Sequence, residues 1–308
     1  MRHRIALPPR LGENFSVRQA AALGVRRGRT DAADLARPFH GIRSVEAPQT
    51  FRATVDCYLP RLRPHQRFVG RSAVRLWALP YPDPWQPEEA LEIAAPQEQS
   101  PPRAAGVKGR HLGRSRAQTW FLRQAPVVDP VAAVLSSAGE LTVPHLVILL
   151  DAILTDCTNY PGMEEAGRPR CTLDELEMRV AAWGRFPGSG RVRIALRMTR
   201  ERVESPKETE TRLAILDAGL PEPTVQFDVR AGERFIARVD LAYPQWRIAV
   251  EYEGDGHRRS KEQWRRDVAR QRDLEDRGWI VIRLTQHDLE DPAEFLARLR
   301  RAIASRAT

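Results

Sequence analysis

Three acidic residues, Asp240, Glu251 and Glu253, lie close together in the C-terminal third of the chain. Apolar residues alternate with these acids on both sides of Pro244-Gln245, a pair typical of a turn. A hairpin that buries its apolar side chains on one face therefore places the three carboxylates on the other face. A turn centred within Pro244-Gln245 puts Ala249 opposite Asp240 and makes Glu251 its diagonal neighbour.

Three carboxylates on one sheet face repel one another, which raises their pKa values and costs stability. A divalent cation relieves this repulsion, because Mg²⁺ takes oxygen ligands from one or two carboxylates together with waters and phosphate oxygens. A metal bound there lowers the pKa of a water molecule and stabilises the charge on a phosphate under attack. The alternative is a solvated sheet face whose acids pair with Arg238 and Arg247. Spacing alone leaves both interpretations open.

The elements around this hairpin carry clear start and stop signals. Ser205, Pro206 and Glu208 suit the N-cap, first and third positions of a helix that runs to Asp217, with Gly219 as its C-terminal cap. The apolar pattern then predicts strands at 225–229, 235–241 and 246–253, a helix at 258–277, a strand at 279–284 and a helix at 292–304. The predicted order is αβββαβα, an α/β (α+β) arrangement.

The N-terminal segment predicts a helix, a glycine turn, a basic helix and a short strand or wing. Ser16 followed by Gln19 fits a capping box, and Gly24 ends the first helix. The second, arginine-rich helix is predicted from about 26 to 35, and 39–43 reads as the wing. This is the outline of a winged helix-turn-helix, although a small capping subdomain with arginines on its solvated face has the same outline.

The region 49–200 predicts a mixed, mainly helical structure with no catalytic constellation. Its seven prolines make 80–102 a loop. Helices are expected at 72–79, within 129–155 and at 173–183. The role of this region stays open.

Composition and charge narrow the class of protein. The 308 residues are 42% hydrophobic, which is enough for two or three domains. The longest apolar run, 146–154, is too short to span a bilayer, and the N-terminus lacks the apolar core of a secretory signal, so we expect a cytoplasmic protein without membrane association. The three cysteines are far apart and show no zinc-ligand spacing, so no structural zinc is expected.

The positive charge is concentrated in the first two thirds of the chain. Residues 1–200 hold 29 basic and 19 acidic side chains, whereas residues 201–308 hold 20 and 21. A basic excess attracts phosphate backbones, and an arginine-biased coding sequence would produce the same excess.

The C-terminal segment resembles a known family. The stretch RVDLAYPQWRIAVEYEGDGH (238–257), the later RGWIVIRLT (277–285) and the opening SPKETETRLAILDAGLPEP (205–223) are similar to the domain-of-unknown-function-559 family. That family belongs to the very-short-patch-repair-like (Vsr-like) branch of the PD-(D/E)XK nucleases, which have a restriction-endonuclease-like fold. The resemblance covers about residues 205–304.

The resemblance implies roles for individual residues. Asp240 and Glu251 match the family's metal-binding acids and would hold Mg²⁺, with Mn²⁺ as a substitute. Glu253 stands where many members of the wider superfamily have Lys, so it would bind metal or accept a proton from water. Glu208 matches the opening-helix acid, although a capping role is the alternative. His257 would hydrogen-bond the scissile phosphate, or simply end a turn.

The long helix contributes one further residue to the predicted DNA-binding set. Arg270 would steer phosphate, or form a structural ion pair with Asp267, which lies three residues before it. The mismatch nickases of this branch carry Cys and His zinc ligands. Residues 201–308 contain no Cys, so the resemblance does not extend to a zinc site or to mismatch nicking.

The N-terminal segment resembles a second family. FSVRQAAALGVRRGRTDAADLARPFHGIR (15–43) is similar to the winged-helix module of abortive-infection antitoxins of the AbiEi type. That resemblance implies DNA contacts by Arg26, Arg27 and Arg29 of the basic helix and by Arg43 of the wing.

Together these features predict a DNA-binding module at 1–48, a middle region at 49–200 and a nuclease domain at 201–308. The expected function is a Mg²⁺-dependent DNA endonuclease or nickase that is targeted by its N-terminal module. The alternative is a non-catalytic DNA-binding regulator, or antitoxin-like protein, with a degenerate nuclease domain. The sequence does not indicate the DNA sequence or lesion recognised, or the oligomeric state.

Overall fold

A computed structural model describes residues 6–156, 160, 162–163, 167–254 and 261–307. The chain is a mixed α/β protein that divides into two compact units. The first unit contains 1–141, 165–169 and 179–190, and the second contains 142–164, 170–178 and 191–308. Within the described residues, no helix is both long enough and apolar enough to cross a membrane.

The first unit begins with two short helices closed by a strand pair. Its elements are β1 (Asn14–Ser16), α1 (Val17–Ala22), α2 (Arg27–Thr30) and β2 (Ile42–Ser44). The predicted capping box is confirmed, since the Ser16 Oγ accepts from the Gln19 N–H and the Gln19 side chain accepts from the Ser16 N–H. Gly24 follows α1 at a φ of 79°, which suits glycine.

The second predicted helix is much shorter than expected. It ends at Thr30 rather than near 35. The Thr30 carbonyl accepts a hydrogen bond from the Arg43 guanidinium, and Ala36 forms an antiparallel bridge with Ser44. These contacts draw the chain after Thr30 towards β2, so the helix cannot continue.

The rest of the first unit is built on a six-stranded sheet that sequence patterns did not predict. The helices are α3 (Phe51–Tyr58), α4 (Gly70–Leu76) and α5 (Pro130–Ser137), and the strands are β3 (Arg67–Phe68), β4 (Leu91–Ala95), β5 (Arg103–Ala104), β6 (Val107–His111), β7 (Thr119–Leu122) and β8 (Ala125–Val128). The strand order is β5-β6-β4-β3-β8-β7. The predicted loop at 80–102 is therefore wrong at β4, where five consecutive buried residues form a strand between two proline-rich stretches.

Among the described residues, four α-helices lie between β8 with its following helix α5 and the second sheet. They are α6 (Val143–Leu154), α7 (Leu173–Trp183), α8 (Ser189–Met198) and α9 (Pro206–Asp217). The predicted start of α9 is confirmed, since Ser205 is the N-cap and its side chain accepts from the Glu208 N–H. Gly219 follows this helix at a φ of 71°.

The second unit contains a four-stranded sheet in the order β12-β11-β10-β9. Its elements are β9 (Thr224–Ala231), β10 (Arg234–Tyr243), β11 (Ile248–Tyr252), α10 (Lys261–Glu275), β12 (Ile280–Leu284), α11 (Gln286–Glu290) and α12 (Ala293–Ala304). β11 pairs in parallel with β12, and the other neighbours are antiparallel. The order matches the predicted αβββαβα, with α11 as an additional short helix.

The turn between β10 and β11 is longer than predicted. A 3₁₀ turn spans Pro244–Trp246, and Arg247 follows in the left-handed region with a φ of 49°. Ala249 therefore pairs with Ala242 rather than Asp240. The register shifts by two residues, so the side chains keep the same alternation of faces.

Apolar clusters cover both faces of this sheet. Leu241, Ile248 and Val250 pack with residues of α9 and α12, whereas Ala249 and Val239 pack with α10 and Trp279. The pairing of β10 with β9 is irregular near Phe235–Ala237.

Candidate active site

Asp240 and Glu251 lie opposite each other on β10 and β11. Leu241 pairs with Val250, and Asp240 and Glu251 occupy the next position in that register. Oδ2 of Asp240 accepts a hydrogen bond of 3.0 Å from the backbone N–H of Tyr252, which fixes the carboxylate against β11. The two acids are thus direct cross-strand neighbours, rather than the diagonal pair expected from the turn.

The Glu251 side chain is buried next to two arginines, and the residue is only 7% exposed. Nη2 of Arg270 lies 3.1 Å from Oε1 and 3.2 Å from Oε2, and Nε of Arg283 lies 3.9 Å from Oε2. The Arg270 hydrogen bond is directed at Oε2, so Oε1 is buried without a hydrogen-bond partner. A buried carboxylate oxygen without a hydrogen bond lowers the stability of the fold. Such an oxygen is a suitable ligand for a cation.

The predicted alternative, in which the acids pair with Arg238 and Arg247, names the wrong arginines. Arg238 pairs with Asp228 at 2.8 Å, and Arg247 donates to the Arg277 carbonyl at 3.2 Å. The positive charges beside the acids come instead from α10 and β12, which lie later in the sequence than the hairpin.

Glu208 is buried, and both oxygens of its carboxylate accept hydrogen bonds. The Ser205 hydroxyl donates to Oε1 at 2.8 Å, and Oε2 accepts from the Glu204 N–H and from the Gln226 amide, each at 2.9 Å. Glu208 therefore stands at the expected third position of α9, but its carboxylate accepts from the Glu204 N–H and not from the Ser205 N–H that a capping box uses. The carboxylate also remains close enough to Asp240 for their charges to interact.

The neighbouring acids destabilise the charged form of Asp240. Burial, together with the charges of Glu208 and Glu251, raises the pKa of Asp240 to about 7, against the opposing effects of the Tyr252 hydrogen bond and Arg270. Burial also raises the pKa of Glu251 and of Glu208. A pair of carboxylates with this property resembles the acid pairs of catalytic and metal sites.

The remaining predicted site residues differ in their positions. Glu253 follows β11, with its side chain 44% exposed and Oε2 3.8 Å from Nη1 of Arg283. Its N–H donates to the Leu284 carbonyl, which extends the pairing with β12. Arg270 joins Glu251 to the backbone of β10, because its Nη1 donates to the Arg238 carbonyl. His257 lies outside the described residues.

Only part of this arrangement fits a metal ion. Among the residues that the structure describes, no group of three or more His, Cys, Asp or Glu side chains is placed to hold one. Asp240 and Glu251 nevertheless offer two hard oxygen ligands, the number that Mg²⁺ commonly takes from a protein. Oε1 of Glu251 lies 3.1 Å from Nη2 of Arg270 but accepts no hydrogen bond, so it fits that role, whereas the oxygens of Glu208 already accept three hydrogen bonds.

Sequence reasoning missed two residues of the site. Gln226 is 3% exposed, adopts a φ of 48° within β9 and donates to Glu208. Arg283 lies in β12 within reach of both Glu251 and Glu253. A polar residue inside a strand was the available signal in both cases, but its partner could be identified only from the folded sheet.

The predicted DNA-binding arginines of the first unit separate into two classes. Arg26 and Arg27 are exposed, and the Arg27 side chain has 92% of its surface accessible. Arg29, in contrast, forms two hydrogen bonds with the Asp34 carboxylate, at 3.0 and 3.1 Å.

Arg43 is engaged inside the first unit. It is 8% exposed, and its guanidinium donates to the carbonyls of Thr30 and Ile42 and to Asp31. Its contacts hold α2 against β2, whereas Arg26 and Arg27 present their charge to solvent.

Comparison with known sequences finds two uncharacterized proteins of Mycobacterium tuberculosis, one from strain CDC 1551 / Oshkosh and one from strain ATCC 25618 / H37Rv. Each is 30% identical over 173 residues, and the match spans 56% of this chain and 59% of the relative. No family model matches the chain. No solved structure matches it either.

Proposed function

We propose that the second unit hydrolyses phosphodiester bonds of DNA with Mg²⁺, as an endonuclease or nickase, and that the basic N-terminal module helps to bind the DNA. The observation that carries this proposal is the position of Asp240 and Glu251 on adjacent strands, one residue beyond the pair Leu241 and Val250, where both carboxyl groups have raised pKa values. The buried Oε1 of Glu251, which accepts no hydrogen bond although Nη2 of Arg270 lies 3.1 Å away, supports it.

In this proposal the residues of the chain have distinct tasks. Asp240 and Glu251 would hold Mg²⁺, which, when bound, lowers the pKa of a water molecule and stabilises charge on the phosphate. The Tyr252 N–H and Arg270 fix the orientation of the two carboxylates. Glu253, half-exposed at the end of β11, accepts the proton of the attacking water. Water bonds to phosphorus, and the 3′ oxygen leaves and takes a proton from solvent.

A second candidate is a DNA-binding regulator without catalysis. The pairing of Glu251 with Arg270 and Arg283 favours it, because two arginines can stabilise a buried acid without any metal. The exposed Arg26 and Arg27 would then carry the function alone.

A plasmid-cleavage assay with Mg²⁺ or Mn²⁺ separates the two. We expect nicked or linear product from the wild type and a loss of at least a hundredfold in Asp240→Asn and Glu251→Gln, because each removes a ligand charge. Glu290→Gln, an exposed acid of α11, is the matched control and should cleave normally. Unchanged cleavage in both site variants would refute the site, and DNA binding without cleavage in the wild type would favour the regulator.

A further inference from the structure

The second unit has a pocket of about 550 Å³ that the candidate active site does not use. Its walls come from β9, the β10–β11 turn and the segment between α10 and β12. The lining includes three arginines and two aromatic rings: Arg230, Arg247, Arg277, Phe227 and Trp279. The pocket therefore combines positive charge with flat apolar surface.

The acid of the pocket, Asp228, offsets only part of its positive charge, because the charge of Asp228 interacts with Arg230 but also with Arg238, which lies outside the lining. Asp228 lines the pocket but is paired with Arg238 at 2.8 Å, and this hydrogen bond lowers the pKa of Asp228. Arg277 is paired with Asp273. Arg230 and Arg247 donate to the carbonyls of Glu233 and Arg277, and such contacts leave the charge of both guanidinium groups in place.

Aromatic surface lies beside these charges. Phe227 and Trp279 are in contact within the pocket, with ring centroids 5.9 Å apart. At the tip of the β9–β10 hairpin, Phe235 is 50% exposed and its ring centroid lies 5.9 Å from Cζ of Arg230. An exposed ring next to an arginine is the arrangement with which proteins bind unpaired bases and their phosphates.

The pocket is close to the candidate active site along the sheet. Asp228 in its wall pairs in register with Arg238. Arg238 lies two residues before Asp240 on β10, a distance of roughly 7 Å along a strand. A nucleic-acid strand bound at the acids could therefore reach the pocket within a few nucleotides.

We infer that this pocket, together with the Phe235 ring outside its lining, binds an unpaired DNA strand, with phosphate at Arg230 and Arg247 and a base against Phe235. The inference deepens the proposed function and rests on it for the identity of the nucleic acid. Stacking on a phenylalanine accepts any base, so the pocket supplies strand affinity rather than sequence choice.

The test is the binding of a short fluorescent single-stranded DNA to the full-length protein in EDTA, which prevents cleavage. We expect Arg230→Gln with Arg247→Asn to weaken binding at least tenfold and to reduce the slope of log K against log salt by about 1.4, because each phosphate contact to a single strand contributes about 0.7. Asn suits position 247, since it tolerates a positive φ. Phe235→Leu should weaken binding about tenfold with no change in slope.

Arg301→Gln, which removes an exposed charge from α12, is the control and should bind within twofold of the wild type. Equal binding by the wild type and the pocket variants would overturn the inference, as would pocket-dependent binding of RNA in preference to DNA. Catalysis is read separately. If the wild type cleaves DNA but the pocket variants bind single-stranded DNA normally, only the inference about the pocket is refuted. If binding depends on the pocket but the wild type does not cleave DNA, only the proposed nuclease activity is refuted. Thermal unfolding of each variant confirms that it is folded.

Discussion

Asp240 makes the stability of the second unit depend on pH. Its carboxyl group has its ordinary pKa of 3.8 in the unfolded chain and a pKa of about 7 in the folded protein. The folded state therefore holds the proton more tightly, and the resulting stabilisation is complete below pH 4 and is lost as the pH rises to 7. Above pH 7 the fold carries an unfavourable charge at this position.

Asp240→Asn should therefore stabilise the metal-free protein at pH 8 by about 1–3 kcal/mol and have little effect at pH 5, because the amide is uncharged. An Asn oxygen can still accept the hydrogen bond from the Tyr252 N–H. Urea unfolding at the two pH values measures the difference. Asp273→Asn, an acid of α10 paired with Arg277, should show no such gain at pH 8. A loss of stability at pH 8 in Asp240→Asn would show that its negative charge is favourable.

Binding of a divalent metal ion should compensate the negative charge of Asp240. At a metal concentration of about 100 Kd, binding stabilises the folded state by about 2.7 kcal/mol, which corresponds to a Tm increase of about 5–10 °C. We expect that increase with Mn²⁺ at pH 8, a much smaller one at pH 5 where Asp240 keeps its proton, and a return to the starting Tm after EDTA. An equal increase in Glu251→Gln would place the metal elsewhere.

Single elements were predictable where their signals are local. Ser205 with Pro206 fixed the start of α9, and the glycines at 24 and 219 mark helix ends. The position of Ala249 in the sheet was not predictable, because it depends on a 3₁₀ turn and on Arg247 in a left-handed conformation, which residue types do not require. β4 was missed because a strand buried on both faces shows no alternation.

Burial distinguishes Arg43, which holds the N-terminal module together, from the exposed Arg27. Arg43→Ala should destabilise the first unit by about 2–3 kcal/mol, because three hydrogen bonds of a charged group are lost. Arg27→Ala should leave the Tm within about 1 °C, since the side chain is exposed and surface ion pairs contribute little. DNA binding should weaken in Arg27→Ala. Differential scanning calorimetry and fluorescence anisotropy check both, and a stable Arg43→Ala that fails to bind DNA would reverse the assignment.

At the scale of the whole molecule, a buried ion pair crosses the boundary predicted at residue 200. Asp151 of α6 and Arg212 of α9 are fully buried, with Oδ2 and Nη2 3.0 Å apart. Asp151 also accepts from the Thr209 hydroxyl and from the Arg200 N–H. The sequence placed α6 in the middle region, because nothing local to either residue indicates a partner 61 positions away.

This pair makes the second unit dependent on residues before 201. Removing one partner of a buried pair costs about 3–5 kcal/mol, because the other charge stays buried without compensation. A fragment of residues 142–308, which retains Asp151, should unfold cooperatively, whereas a fragment of residues 201–308 should be markedly less stable. Glu222, the other acid bound to Arg212, is present in both fragments and is partly exposed.

The control is Arg212→Met in each fragment. It removes the charge while keeping an apolar side chain, so it should recover part of the stability of residues 201–308 and should destabilise residues 142–308, where Asp151 would lose its partner. Urea denaturation followed by circular dichroism gives the four values. Equal stability of the two unsubstituted fragments would mean that α6 contributes nothing to the second unit and that the unit begins near residue 201.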